Sequence, residues 1–200
     1  MTRQPKHRKE TEDRRNEILS ITLDLVTQNG IDRLRAADIA EALGVSTALI
    51  FYHFKTLENV VVSAFELAAE NDLANLDAVL AQTDGSVEDR LRAVLNEYGP
   101  TGRAVGWRLW IETWSACLRL PALRDVTHRL DMRWREVVTD LIREGVDNGE
   151  FRTDDPQGAT WRLTAMLDGL AVQLVALDGA VSTTDVASWV DRAIRTELGL

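Results

Sequence analysis

Two short helical stretches held apart by only three residues constrain this chain more than any other feature. Residues 36–43 read as a helix that buries Ile39, Ala40 and Leu43. Gly44-Val45-Ser46 follows as a tight turn, in which Gly44 lets the backbone reverse and Val45 plugs the space between the helices. Ser46 is a natural cap for a third helix through Phe54, with Ile50 and Phe54 at i and i+4 facing inward. Helix, three-residue turn, helix is the helix-turn-helix pattern. The outer face of its second helix carries Thr47, Ala48, Leu49 and Tyr52, with His53 beside them. Small and polar residues at the start of such a helix permit close approach to base edges in a major groove. A capped helical hairpin inside a bundle is the alternative these residues leave open.

The rest of the chain continues the helical theme. Thr11 followed by Glu12 and Asp13 reads as a start for the first helix, since a hydroxyl caps and acids favour the positive end of the dipole. Ile18, Thr22, Leu25 and Val26 then form one buried stripe, and Gly30 suits the left-handed stop. A fourth helix is expected from Thr56 to about Gln82 and a fifth from Ser86 to Gly99-Pro100. A sixth covers 103–120, a seventh runs from Pro121 to Asn148, and an eighth runs from Asp155-Pro156 to about Leu177. A last helix is capped near Ser182 or Thr183. Proline is scarce, at 4 in 200 residues, and strand alternation with Asn-Gly or Asp-Gly turns is nearly absent. The expectation is an all-α chain of about nine helices.

Charge and side-chain inventory exclude several functions. The single cysteine, Cys117, rules out an intramolecular disulfide framework or a cysteine-based zinc cluster. His7, His53 and His128 show no metal-ligand spacing. No nucleophile elbow, P-loop or dinucleotide-binding glycine pattern is found, so no enzyme and no cofactor are expected. No apolar run is long enough to span a membrane, and no secretory signal is read, which points to the cytoplasm. Residues 1–60 hold 9 basic and 9 acidic residues, so the net charge of −9 comes wholly from the remainder. The least acidic part of the chain therefore carries the helix-turn-helix, a placement that phosphate binding favours and that a solvated basic end also produces.

Residues 34–60, LRAADIAEALGVSTALIFYHFKTLENV, resemble the tetracycline-repressor (TetR) family of bacterial one-component regulators. The Asp-Ile-Ala of the second helix, Gly-Val-Ser at the turn and His53-Phe54 closing the third carry the likeness, which extends over about residues 11–60. Trp110-Ile111-Glu112, Gly149-Glu150-Phe151 and Asp168-Gly169-Leu170 are similar, more loosely, to the subgroup containing choline-responsive betaine-synthesis repressors. Three positions depart from the family pattern. Phe51 stands where tyrosine is common, Leu57 where lysine is common, and Arg35 where a Ser/Thr cap is usual.

The resemblance implies a ligand-responsive repressor that binds a palindromic operator in double-stranded DNA as a homodimer and is released by a small-molecule effector. Thr47, Ala48 and Leu49 are then the base-edge candidates, and Arg35, Ser46, Tyr52, His53 and Lys55 the phosphate candidates. His53 has a structural hydrogen-bonding role as its alternative. Residues 1–10 form a basic flexible tail, 11–55 the helix-turn-helix DNA-binding domain, and 56–200 the ligand-binding and dimerisation domain. Arg3, Lys6, Arg8 and Lys9 make either a minor-groove arm or a plain solvated tail. Trp107, Trp110 and Trp114 line one face of the sixth helix, with Trp134 on the next. They suit an aromatic-walled pocket, to which Glu112 or Asp168 adds a polar anchor; ordinary core packing is the competing reading. The apolar run from Leu163 to Val175, with Trp189 and Val190, is expected to pair two subunits through the last two helices; a helix buried within one subunit is the competing reading. A helical interaction module without sequence-specific DNA binding is the rival for the whole chain.

Overall fold

The computed structural model describes residues 5–100, 106–177 and 181–200, with side chains from residue 11 onward. Among the described residues there are nine α-helices and no strand. They are α1 (Pro5–Asn29), α2 (Ala36–Leu43), α3 (Thr47–Phe54), α4 (Leu57–Gln82), α5 (Val87–Tyr98), α6 (Trp107–Cys117), α7 (Pro121–Asp147), α8 (Pro156–Ala176) and α9 (Thr183–Leu198). A single 3-10 turn, Ile31–Arg33, joins α1 to α2.

Local chemistry sets most of these boundaries. Ser46, Ser86, Asp155 and Ser182 each cap a helix by accepting a backbone N–H two or three residues into it. Each such cap stabilises its helix by about 1 kcal/mol. Gly44 ends α2 in the left-handed region, at φ 64°, which only glycine adopts without cost. Gly145 serves a different purpose: the Phe151 ring lies so close that a Cβ there would stand 2.1 Å from it. That close approach lets the chain fold back after α7 and bury Phe151.

Two expectations need correcting. Helix α1 begins at Pro5, six residues ahead of Thr11, so Glu12 and Asp13 lie inside the helix and not at its positive end. Helix α6 ends at Cys117 and not near residue 120, because Leu118, Arg119 and Leu120 form a turn that leads directly into Pro121. The part of that expectation at 103–105 lies outside the described residues, as do the side chains of the basic arm at Arg3, Lys6, Arg8 and Lys9.

The chain divides into two compact units. The first holds residues 1–71 and 112–127, the second 72–111 and 128–200. The first unit buries Ile18, Leu19, Thr22 and Val26 from α1, Ile39 and Ala40 from α2, and Ile50 and Phe54 from α3. From α4 it adds Val60, Val61, Ala64 and Phe65. Full burial of each large side chain contributes roughly 1.5–3 kcal/mol before chain entropy is charged against it. The second unit buries Leu91, Val94 and Leu95 of α5, Val138 and Ile142 of α7, Leu163 and Leu167 of α8, and Val186, Ile194 and Leu198 of α9. Among the described residues no helix is long and apolar enough to cross a membrane.

Candidate functional site

In the first unit, α3 presents Ser46, Thr47 and Ala48 as exposed residues at its start, while Leu49 is half-buried. Tyr52 is 77% exposed, and Phe51 beside it is 41% exposed. Large side chains this bare on an eight-residue helix are not serving the core, which α3 supplies through Ile50 and Phe54. Ser46 is occupied as the cap, its Oγ accepting from the Leu49 amide at 3.3 Å.

Arg35 precedes α2 and cannot cap it, because a guanidinium has no acceptor. Asp38 takes over: its Oδ2 accepts the Arg35 amide at 3.0 Å. The same carboxylate holds the guanidinium through Nε at 3.2 Å and Nη2 at 2.8 Å. The pair is solvent-facing, and each partner favours the ionised form of the other: Asp38 is held below the usual carboxylate range.

The end of α3 is unusual. Lys55 has φ 68° and ψ −46°, and it is the one non-glycine residue with positive φ among those described. The Thr56 amide donates back to the Phe54 carbonyl at 2.8 Å, so Lys55 sits at the centre of a γ-turn of the rare, strained hand. His53 is half-buried in the last turn, between the rings of Tyr52 and Phe54. Burial, with Arg15 and Arg14 nearby, holds its pKa below the ordinary histidine range, so the imidazole is neutral at neutral pH.

The second unit contains an aromatic and acidic cluster. Tyr98, near the end of α5, meets Trp107 of α6 edge-on with centroids 6.1 Å apart and Trp134 of α7 at 5.3 Å. Its hydroxyl donates to Asp168 Oδ1 of α8 at 2.6 Å. Asp168 lies 3.5 Å from Arg135, whose guanidinium also pairs with Asp131 one turn earlier on α7. Arg135 Nε donates to Thr164 Oγ1 at 3.2 Å, and the guanidinium stacks 4.0 Å from the Trp161 ring centre. Burial, above all, pushes Asp168 up to about 6, against the opposing pull of Tyr98 and Arg135. Burial beside Asp168 raises the Tyr98 phenol well above its ordinary value. Asp72 on α4 accepts a hydrogen bond from the Trp110 indole, and burial next to Glu97 pushes it up to about 6 as well.

Trp107, Trp134 and Asp168 thus come together, and Tyr98 is the residue that joins them. Trp110 shares their unit, on Asp72. Trp114 and Glu112 belong to the first unit. The Glu112 carboxylate faces the α1 corner there, where a Cβ on Gly30 would stand 3.2 Å from its Oε2. Sequence reasoning passed over Tyr98, Arg135, Asp131 and Asp72. Arg135 at i+4 from Asp131 on an otherwise apolar stripe was the available signal, since a buried arginine must find carboxylates.

A family profile described as "Bacterial regulatory proteins, tetR family" matches residues 18–64. A second, "BetI-type transcriptional repressor, C-terminal", matches residues 87–199, more than half of the chain. The chain belongs to the TetR family, with a BetI-type C-terminal domain.

Relatives of this TetR-family chain cover nearly its full length. It is 25% identical over 189 residues to the HTH-type transcriptional regulator BetI of Klebsiella pneumoniae (strain 342), covering 92% of this chain and 94% of that one. To BetI of Escherichia coli (strain K12) it is 26% identical over 170 residues, covering 83% and 84%. Among solved structures, a transcriptional regulator from Saccharomonospora viridis in complex with choline superposes with TM-score 0.87 and 25% identity, over 94% of this chain and 98% of that one. A TetR-family regulator from Rhodococcus sp. superposes with TM-score 0.79 and 28% identity, over 92% and 98%. This TetR-family chain therefore joins a helix-turn-helix DNA-binding domain to a ligand-binding C-terminal domain of the repressor type. The family consists of transcriptional regulators and not enzymes; its members bind operator DNA as dimers and respond to small-molecule effectors.

Proposed function

We propose that this regulator represses transcription as a homodimer paired through α8 and α9, and that an organic cation releases it from a near-palindromic operator. The two α3 helices enter successive major grooves, with half-site centres about 34 Å apart. Thr47, Ala48 and Leu49 read base edges; Arg35, Ser46, Tyr52, His53 and Lys55 meet phosphates. Residues 11–55 serve as the reading domain, the basic residues before them, which α1 already takes in from Pro5 and which therefore do not form a separate tail there, as its approach, and 56–200 as the effector and dimer domain.

Exposed apolar residues support the dimer reading. Trp161, Val175 and Leu177 on or just after α8 and Trp189 on α9 are all exposed in the single chain. Ala165, Gly169 and Ala176 are exposed on α8 as well, small enough for a partner helix to approach closely.

The observation that carries the effector reading is the Tyr98 cluster. Asp131, Arg135 and Asp168 hold one carboxylate more than they hold guanidinium, and Tyr98, Trp107 and Trp134 supply ring surface beside them. A cation gains from both the residual charge and the ring faces. The choline carried by the Saccharomonospora viridis relative is of this class. Trp110 with Asp72 extends the same chemistry. Titration of choline and its uncharged carbon isostere, read by tryptophan fluorescence and by release from DNA, tests the reading. Choline is expected to quench and release, and the isostere to do neither. Equal binding of the two overturns the cation assignment.

A further inference from the structure

The reading helix is eight residues long, too short to hold its own geometry in water, so its ends must be fixed by neighbours. Ser46 fixes the first turn. The last turn leaves carbonyls without partners inside the helix. One of them, Phe51 O, takes the Lys55 amide at 2.9 Å. Phe54 O takes the Thr56 amide and also the side-chain amide of Asn59 from α4, at 2.9 Å. His53 O takes Arg15, from α1, at 3.4 Å.

Arg15 does more than this one bond. Its other terminal nitrogen donates to Ser63 Oγ on α4 at 3.1 Å, and its guanidinium carbon lies over the Phe54 ring, 4.2 Å from the centre. One planar group thereby ties α1, the end of α3 and α4 together. Its contacts with α3 fall on the His53 carbonyl and the Phe54 ring, immediately before the strained turn at Lys55.

We infer that Arg15 is a positioning residue for operator recognition, acting through His53 and Phe54 to set the orientation of α3 without touching DNA itself. This rests on α3 being the reading helix. Lysine in its place keeps the charge but loses the fork and the flat stacking surface, so it cannot hold both anchors at once.

The test uses the full-length protein and the duplex that the wild type enriches from a random pool. Arg15→Lys is expected to lower the ratio of specific to non-specific affinity roughly tenfold, the scale of one lost base contact. The salt dependence of binding stays as in the wild type. Ser63→Ala keeps Arg15 but frees one anchor, and roughly a threefold loss in that ratio is expected, a fraction of one base contact. It decides the matter should Arg15→Lys fail to fold. An unchanged ratio in either folded variant overturns the positioning role. So does a salt slope that falls by about 0.9 in Arg15→Gln, since that is the signature of a direct phosphate contact. If the wild type itself enriches no duplex, the reading of α3 falls, and this inference falls with it.

Discussion

The Tyr98 hydroxyl donates to Asp168 Oδ1 across 2.6 Å, linking the end of α5 to the middle of α8. A half-buried carboxylate with that bond and Arg135 beside it is satisfied on both sides. Tyr98→Phe removes the donor and leaves the carboxylate under-bonded, at a cost of about 1–3 kcal/mol. Urea denaturation is expected to show that loss, with the thermal transition of Asp168→Asn shifted by less, because the uncharged amide has a smaller desolvation penalty.

Acidity should stabilise the second unit over a defined window. Asp72 and Asp168 are both pushed up to about 6 by burial, whereas an unfolded aspartate titrates near about 3.9. Between those values the folded chain holds more protons than the unfolded one, so stability rises as pH falls from 7 towards 5 and is lost as pH climbs through about 6. Each group accounts for a change on the order of 1–3 kcal/mol. Asp38, Asp89, Asp155, Asp185 and Asp191 shift the other way, so their contributions are lost only below about pH 4, near the unfolded value. Denaturation midpoints of the wild type and Asp72→Asn/Asp168→Asn between pH 5 and about 7.5 check this. In the double variant the fall in stability through about pH 6 is expected to disappear, leaving only the opposite, rising trend that the depressed His53 imposes.

Effector affinity should follow the same titration in the opposite sense. Protonating Asp168 removes the charge that favours a cation, so choline binding weakens as pH drops through about 6. Fluorescence titrations above and below that pH measure it, and an unchanged affinity would detach Asp168 from the effector.

Lys55 combines backbone strain with a proposed phosphate contact. Glycine there relieves the positive φ, a strain of about 1–3 kcal/mol, while removing one cation from the DNA-facing end of α3. Lys55→Gly is expected to melt at a higher temperature, to bind the operator more weakly, and to show a salt slope smaller by about 0.9. Stability and affinity moving together would contradict the assignment.

The face of α8 at Gly169 separates dimerisation from folding. A Cβ there would meet nothing within 4 Å, so Gly169→Glu fits the single chain and gains up to about 1 kcal/mol in helix propensity. The same carboxylate would be buried against a partner helix. Sedimentation should therefore show a monomer of undiminished stability, and a variant that remains dimeric moves the interface elsewhere.

Much of this was legible before any coordinates. Ser46, Ser86, Asp155 and Ser182 announced their helices because capping is local chemistry, and Gly44 announced its turn because only glycine tolerates that φ cheaply. The Ile50 and Phe54 spacing likewise gave the inward face of α3. What stayed hidden depends on partners distant in the chain. Tyr98 and Asp168 are separated by 70 positions, and nothing near either one signals the other. Nothing in the spacing around Arg15 singles it out, yet its guanidinium lies over Phe54, 39 positions away by number. The tryptophan stripe at Trp107, Trp110 and Trp114 was correctly placed on one helix, but helical spacing could not show that Trp114 falls in the other compact unit.

Selection of bound duplexes from a random DNA pool at near-physiological salt tests the central claim most directly. The account predicts a two-fold symmetric site with half-site centres about one helical turn apart, lost when choline or a related cation is added. Failure to enrich any sequence at low salt, with and without such cations, would contradict it.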